Sequence, residues 1–342
     1  MTKLIIQIPC FNEEESLPHT LAELPRNLIG IDRIEWLVID DGSSDRTADV
    51  AREHGVDHVV SLPCNQGLAA GFKAGLEACV RAGADIIVNT DADNQYHAGD
   101  IGKLIQPILE GRAEMVIGSR PIQQTAHFSK SKILLQRLGS AFIRLVSKTD
   151  IPDAPSGFRA FSRDAAKRLN VFTEYTYTLE TIIQAGLKNM AITWVPVRTN
   201  GPTRPSRLIS SIPRYIRASL ATVARIFVTY RPLMFFTIVG GITFLAGFLI
   251  GARFLYFYLN GDGEGHVQSL IFAGLLMGVG FQIGISGILA DLISVNRKLI
   301  EKVDWNVQNL RSEEQQPTPQ QQQSQPPRGN AAPRLRSQGV SL

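Results

Sequence analysis

Residues 84–96 read "ADIIVNTDADNQY", an apolar run that passes directly into a cluster of acidic and amide side chains. The run is typical of a buried strand, and the polar residues Asp91, Asp93 and Gln95 follow it at every second position. In an extended segment such residues point to the same side, so the spacing predicts three oxygen ligands that face one way. Oxygen ligands suit Mg²⁺ or Mn²⁺, whose charge would offset the repulsion between the two carboxylates.

Similar apolar runs recur along the first half of the chain, and stretches of helical periodicity separate them. Near-continuous apolar strands that alternate with helices predict a mostly parallel sheet with helices on both faces, an α/β fold. Such a sheet binds its ligand at the carboxyl ends of the strands, where the acid-rich segments "PCFNEEE", "DDGSSD" and "DADNQY" all fall. The predicted strands are residues 3–9, 34–40, 57–62, 84–90, 114–119 and 190–197.

The motif "VIDDGSSDRT", residues 38–47, is a second polar cluster at a predicted strand end. Gly42 permits a tight turn there, and one aspartate would suffice to support it. Asp41 is therefore predicted to be free to accept hydrogen bonds from a base or a ribose. The glycine- and alanine-rich segment "NQGLAAGFKAG", residues 65–75, permits close approach of a nucleotide to the backbone, although helix packing would explain the same composition.

Two later stretches, residues 233–251 and 267–290, contain no charged residue. The first would be roughly 28 Å long as a helix, close to the ~30 Å of a bilayer core. The pattern predicts two transmembrane helices, about 233–256 and 267–290, with a buried helix pair of a soluble protein as the alternative. The loop "NGDGEGH" between them has no Lys or Arg, whereas basic residues flank the other ends. The positive-inside rule then predicts a multi-pass protein of the cytoplasmic membrane, with both termini and the N-terminal domain in the cytosol.

The flanking regions and the composition complete the predicted organisation. Residues 204–231 place arginines among apolar residues, which is typical of an amphipathic helix in a membrane interface, with an ordinary surface helix as the alternative. The three cysteines form no C-x-x-C pair and predict free thiols rather than a zinc site or disulfides. The predicted order is a catalytic domain (1–203), the amphipathic segment (204–231), a transmembrane hairpin (232–291), a second juxtamembrane helix (292–311) and a disordered tail (312–342).

Six segments of the N-terminal region together resemble the family 2 inverting glycosyltransferases, which have the Rossmann-like, nucleotide-sugar-binding GT-A fold. They are "IPCFNEEESL", "VIDDGSSDRT", "NQGLAAGFKAG", "DADNQY", "GSR" at 118–120 and "DAPSGFRAFSR" at 153–163. The two apolar helices narrow the resemblance to the polyprenyl-phosphate glycosyltransferases. The Q-x-x-R-W motif of the processive polysaccharide synthases does not occur in the sequence.

The resemblance implies an activity and its partners. A hexose or hexosamine would pass, with inversion, from a nucleotide-diphosphate sugar to polyprenyl phosphate at the cytosolic membrane face. UDP donors are slightly favoured over GDP donors, the cofactor would be Mg²⁺ or Mn²⁺, and family relatives suggest a homo-oligomer such as a tetramer. Nucleic acid is not among the predicted partners. The alternative is a membrane-bound family 2 enzyme that acts on a hydroxyl of a glycolipid or polysaccharide.

The resemblance also assigns roles to individual residues. Arg120 would clamp the acceptor phosphate, and Arg137 is a second candidate, although Ser140 follows it at three residues rather than the four expected of mannose synthases. A phosphate monoester, with a second pKa of about 6, needs a general base less than a hydroxyl does. Asp153 and Glu180 are the carboxylates predicted for that role, each with the alternative of pairing with an arginine. Asp91, Asp93 and Gln95 would bind the metal, and Pro9, Asn12, Glu14, Asp41, Gly67, Arg159 and Arg204 would contact the substrates.

Overall fold

The structure, a computed structural model, describes residues 1–120, 147, 149–171, 177–200, 225, 227–261 and 267–314. The predicted substrate-binding residues Arg137 and Arg204 lie outside the described residues, as do most of the amphipathic segment and most of the tail. The chain divides into two compact units, residues 1–299 and residues 300–342.

A sheet of seven strands lies at the centre of the first unit, in the order β3-β2-β1-β4-β6-β5-β7. Strand β6 is antiparallel to both of its neighbours, and all other pairs are parallel. The mostly parallel α/β sheet is confirmed, and every predicted strand is present. The sequence did not predict β6, because this strand is short and its first residue is an arginine. The strands are β1 Lys3–Cys10, β2 Arg33–Asp40, β3 His58–Ser61, β4 Ile86–Asn89, β5 Met115–Ser119, β6 Arg159–Ser162 and β7 Ile192–Pro196.

Both faces of the sheet are buried under helices. Along β1 the side chains alternate between two apolar cores: Ile5 belongs to the same core as Phe72 on one face, and Ile6 to the same core as Trp36 on the other. Burial on both sides explains why these strands are apolar at nearly every position. The helices of this region are α1 Leu17–Glu23, α2 Thr47–Glu53, α3 Leu68–Arg81, α4 Ile101–Leu109, α5 Arg163–Arg168 and α6 Tyr177–Leu187.

Two long apolar helices follow, α7 Pro232–Leu259 and α8 Val267–Glu314. By length and composition both could cross a membrane, and only 11% and 17% of their most apolar windows are buried inside the protein. Such exposure is unlike that of a soluble core helix and suggests membrane association. Helix α8 is continuous through the ranges predicted for the second transmembrane helix and for the second juxtamembrane helix.

Glycines permit close packing of α7 against α8. A Cβ atom at Gly240 would lie 2.7 Å from the carbonyl oxygen of Gly280, and one at Gly280 would lie 2.6 Å from the backbone nitrogen of Phe244. Among the described residues, nothing lies within 4 Å of a Cβ at Gly274 or Gly278. Only some of the spaced glycines therefore lie in the contact between α7 and α8, which we call the seam. Small residues there let the two helix backbones approach each other closely.

Candidate active site

The loops that follow β1 and β2 are hydrogen-bonded to each other. Asn12, which has a φ of 54°, accepts the backbone N–H of Ser44 on Oδ1 at 2.8 Å. Glu14 accepts the backbone N–H of Arg46 on Oε2 at 3.0 Å. Pro9 lies at the penultimate position of β1. The predicted substrate residues of the first motif thus lie at the carboxyl end of β1, where Asn12 and Glu14 hold the second acidic loop in place.

Asp41 holds the glycine-rich loop that precedes α3. Its buried carboxylate accepts the backbone N–H of Gln66 on Oδ1 and that of Gly67 on Oδ2, both at 2.8 Å. Beside it, a Cβ atom at Gly42 would lie 2.4 Å from the carbonyl carbon of Cys64, so the turn and the loop are in tight contact. Asp41 is therefore not the unengaged acceptor that the sequence suggested. A nucleoside would have to use the second lone pair of one of its oxygens.

The segment that carries Asp91, Asp93 and Gln95 is a turn and not an extended strand. Strand β4 ends at Asn89, Asn94 has a φ of 54°, and the backbone N–H of Gln95 donates to Oδ1 of Asp93 at 3.1 Å. The alternation argument therefore does not hold, although the turn still places all three side chains at the carboxyl end of β4. Within the described residues, no group of three or more His, Cys, Asp or Glu side chains could hold a metal.

The acidic turn is fixed on two sides by the rest of the domain. Thr20 of α1 donates its hydroxyl to the carbonyl of Ala92 at 2.8 Å. On the other side, the backbone N–H of Asn200 donates to the carbonyl of Gln95 at 2.9 Å. Two elements distant in sequence thus hold the turn, which keeps its polar side chains in a defined position before any ligand arrives.

The electrostatics of the turn favour a cation. Burial and the neighbouring Asp93 raise the pKa of Asp91 from 3.8 to about 7, against the opposing charges of Arg120 and Arg159. Two carboxylates held close together in a partly desolvated site cannot both ionise without cost. The two carboxylates and the amide of Gln95 are hard oxygen donors of the kind that Mg²⁺ and Mn²⁺ prefer.

Arg120 follows β5 and forms an ion pair with Asp153. Its Nε donates to Oδ2 of Asp153 at 2.8 Å and its Nη2 to Oδ1 at 3.0 Å. Asp153 has no exposed side-chain surface, whereas the side chain of Arg120 is 18% exposed. Of the two alternatives for Asp153, a general base or the partner of an arginine, the structure contains the second.

Arg159, predicted to contact a substrate, is completely buried. Its guanidinium donates to the carbonyl oxygens of Ala154 and Ser156 at 2.7 Å and to that of Thr178 at 2.8 Å. Burial lowers the pKa of Arg159 to about 10, which leaves the group charged at neutral pH. Arg159 ties the loop before β6 to the start of α6, so contact with a substrate would require the side chain to leave this setting.

A buried polar network that the sequence did not predict lies beneath Asp91. Asn89, the last residue of β4, accepts from Gln7 at 2.9 Å and donates to the hydroxyl of Tyr177 at 2.9 Å. A Cβ atom at Gly157 would lie 3.0 Å from Oδ1 of Asp91 and 3.1 Å from that same hydroxyl. The sequence contains one signal of this network, because the amide side chains of Gln7 and Asn89 interrupt two otherwise apolar strand patterns.

Glu180, the other predicted base, lies in a buried cluster where α6 contacts the chain that leads into α7. The hydroxyl of Tyr230 donates to Oε1 of Glu180 at 2.6 Å, and Nε2 of Gln184 donates to the Tyr230 oxygen at 2.9 Å. The guanidinium carbon of Arg297, on α8, lies 4.3 Å from the centre of the Tyr230 ring. Glu180 has no exposed surface, and its hydrogen bond from Tyr230 joins α6 to the residues that lead into α7.

Comparison with known proteins connects this site to a described family. The family model for "Glycosyl transferase family 2" matches residues 5–169. The UDP-N-acetylglucosamine–dolichyl-phosphate N-acetylglucosaminyltransferase of Methanococcus voltae is 31% identical over 214 residues, which cover 56% of this chain and 83% of that protein. The undecaprenyl-phosphate mannosyltransferase of Micrococcus luteus is 28% identical over 175 residues, which cover 49% of this chain and 70% of that protein.

Among solved structures, the chain is similar to glucosyl-3-phosphoglycerate synthase from Mycobacterium tuberculosis in a complex with Mn²⁺, UDP-glucose and phosphoglyceric acid. The two align with a TM-score of 0.51 at 21% identity, over 65% of this chain and 79% of that chain. At this identity the likeness shows the fold alone, which is the predicted GT-A-like fold.

Proposed function

The chain belongs to glycosyl transferase family 2, and from that membership we propose that it transfers a hexose or hexosamine from a nucleotide-diphosphate sugar to polyprenyl phosphate. The observation that carries the proposal is a juxtaposition. An acidic turn and an oriented arginine, Arg120, lie at one edge of the sheet, in a chain with two membrane-length helices. The relatives named for transfer to dolichyl and undecaprenyl phosphate support the same class of acceptor, and UDP donors remain favoured over GDP donors.

The engagement of the candidate bases favours a phosphate acceptor over a hydroxyl. A hydroxyl must lose its proton to a base as it attacks, whereas a phosphate monoester is already ionised near pH 7, with a second pKa of about 6. Both oxygens of Asp153 accept from Arg120, and Glu180 accepts from Tyr230. Neither carboxylate is placed as a base that awaits a proton, and an acceptor that needs none fits this arrangement.

The acidic turn fits a divalent cation bound together with the donor diphosphate. Asp91 and Asp93 supply negative charge and Gln95 a neutral oxygen, so the residues would hold Mg²⁺ or Mn²⁺ while leaving positions for phosphate oxygens. Burial and the neighbouring Asp93 raise the pKa of Asp91, and a bound cation would offset both of these costs. When bound, the cation supplies charge neutralisation of the departing diphosphate.

The protein's own residues position two anionic reactants for an in-line displacement. Arg120 binds the acceptor phosphate, and an oxygen of this phosphate attacks the anomeric carbon from the face opposite the leaving group. The bond from that carbon to the diphosphate oxygen breaks, and the nucleoside diphosphate leaves with the electron pair. A new carbon–oxygen bond joins the sugar to the lipid phosphate with inverted configuration. The loops held by Asn12, Glu14 and Asp41 form the wall against which the nucleoside would bind.

The long helices would keep this site beside its lipid acceptor. Arg225 and Arg231 precede α7, and Arg297 ends the apolar span of α8. All three lie away from the connecting loop, which has no Lys or Arg. The positive-inside rule orients such a hairpin with these arginines, and hence the catalytic domain, in the cytosol. The lipid phosphate then reaches Arg120 without its polyprenyl chain leaving the membrane.

The test is a donor and acceptor screen on the full-length protein in detergent. The protein is incubated with Mn²⁺ or Mg²⁺, undecaprenyl phosphate and radiolabelled UDP- or GDP-sugars, and the label in the organic phase is counted. We expect a lipid-linked sugar that EDTA abolishes. No transfer from any donor, or transfer only to a glycolipid or polysaccharide hydroxyl supplied in parallel, would refute the proposal.

A further inference from the structure

The contact between Asp153 and Arg120 is more extensive than a simple ion pair. The Asp153 carboxylate accepts the Nε and Nη2 donors of Arg120 at 2.8 and 3.0 Å, and it also accepts the backbone N–H of Arg120 at 3.2 Å. A guanidinium is planar and rigid, so two parallel hydrogen bonds fix the plane of the group as well as its position. The backbone bond further fixes the residue that carries it.

This pairing does not engage every donor of the guanidinium. Within the part of the chain that the structure describes, Nη1 of Arg120 makes no hydrogen bond. The loop that carries Asp153 continues to Gly157, whose Cα lies against the carboxylate of Asp91. A turn inside this loop, in which the backbone N–H of Ser156 donates to the carbonyl of Asp153 at 3.2 Å, joins the two contacts. One short loop thus sets Arg120 relative to the acidic turn.

We infer that Asp153 is a positioning residue, which orients Arg120 toward the acceptor phosphate and does not act as a general base. The inference rests on the proposed function, because it needs a phosphate acceptor for Arg120 to bind. Protonation of the Asp153 carboxylate, even on a remaining lone pair, would remove the negative charge that strengthens its hydrogen bonds from Arg120. Its burial makes the loss costly, because the charge of Arg120 would then lack its partner.

The two roles of Asp153 predict different kinetics. If Asp153 orients Arg120, Asp153→Asn should raise the KM for polyprenyl phosphate about tenfold, the equivalent of one charge-assisted hydrogen bond of about 1.4 kcal/mol. The KM for the nucleotide sugar should change by less than about twofold, and the shape of the pH–rate profile should be retained. Loss of a general base would instead lower kcat by about 10²-fold or more, remove the acidic limb of the profile and leave the acceptor KM unchanged.

A double-mutant cycle separates these outcomes further. In an Arg120→Ala background, Asp153→Asn should have almost no added effect on transfer, because the group that it orients is gone. An undiminished fall in kcat in that background would overturn the inference. Arg120→Lys keeps the positive charge but loses the paired donors, and it should raise the acceptor KM as Asp153→Asn does. Because Arg120→Lys leaves Asp153 intact, it can be measured in place of Asp153→Asn if the latter variant does not fold.

Two controls keep the outcomes distinct. Asp164→Asn, at an exposed position on α5, makes the same chemical change and should leave all constants unaltered. Calorimetry with UDP shows whether each variant retains a folded nucleotide site. If the wild-type protein glycosylates a hydroxyl acceptor instead, the proposed function fails. The same comparison on that acceptor then decides between the two roles of Asp153.

Discussion

Replacing Asp91 with asparagine is expected to stabilise the metal-free protein at neutral pH while it abolishes activity. Burial and Asp93 raise the pKa of Asp91 from 3.8 to about 7 in the folded state. In the unfolded chain this carboxyl loses its proton near pH 4, whereas the folded protein retains it until about pH 7. Between these values the folded state binds more protons, so the free energy of unfolding falls as the pH rises. Asparagine does not titrate in this range, so the free energy of unfolding of the variant does not fall for this reason.

The size of the effect follows from the difference between the two pKa values. A difference of about 3 corresponds to roughly 4 kcal/mol at pH 8, as an upper limit, because Asp91 retains some contact with solvent. At pH 5.5 about half of this loss has occurred, or roughly 2 kcal/mol. A change of 1 kcal/mol shifts the Tm of a domain of this size by about 2–4 °C. The gain from Asp91→Asn at pH 8 should therefore exceed the gain at pH 5.5 by up to about 4–8 °C.

The assay is thermal unfolding of the full-length protein in detergent with EDTA, followed by the fluorescence of its three tryptophans. Asp164→Asn serves as the exposed control and should shift the Tm at neither pH. Added Mn²⁺ should raise the Tm of the wild-type protein more than that of Asp91→Asn, because the variant lacks one ligand. A variant less stable than the wild type at pH 8, or a gain equal at both pH values, would refute the electrostatic reasoning.

Two further predictions concern the long helices. Gly280→Leu should force α7 and α8 apart and lower the Tm, because overpacking costs about 1–3 kcal/mol. Gly278→Leu is the control and should leave the Tm unchanged. Equal effects of the two substitutions in thermal unfolding would contradict close packing of the helices at Gly280. Tyr230→Phe should destabilise the protein by about 1–3 kcal/mol, because it removes one hydrogen bond to the buried Glu180 carboxylate. Tyr258→Phe at an exposed position is the matched control. An unchanged Tm for Tyr230→Phe would show that the cluster does not join the domain to the helices.

The strands could be predicted from the sequence because the apolar pattern of each strand depends only on the burial of that strand. A strand buried on both faces must be apolar at nearly every position, and that pattern is visible without knowledge of its neighbours. Strand β6 lacks this pattern because its first residue, Arg159, is buried with carbonyl acceptors from the flanking loop and from α6. Those acceptors exist only in the folded chain, so a buried arginine looks like a surface residue in the sequence.

The side-chain partners within the site were less predictable for a related reason. Asp41 accepts from residues 25 and 26 positions later, and Asp153 pairs with an arginine 33 positions earlier. Both contacts depend on how loops from different strands meet at the sheet edge. The alternation argument for the acidic turn failed because Asn94 adopts a left-handed conformation, which asparagine tolerates better than most residues. Residue types at strand ends thus indicated where the site lies, but not which side chains are already engaged.

In the proposed function, helix α6 would hold the donor site at a fixed height above the membrane. Its first residue, Tyr177, stacks on Phe72 and contacts the network beneath Asp91. Farther along the helix, Glu180 and Gln184 hold Tyr230, which lies directly before the arginine that caps α7. From Tyr177 to Gln184 the helix rises roughly 10 Å. A rigid element of that length would fix the distance between the long helices and the acidic turn, as the proposed transfer to a lipid acceptor in the bilayer requires.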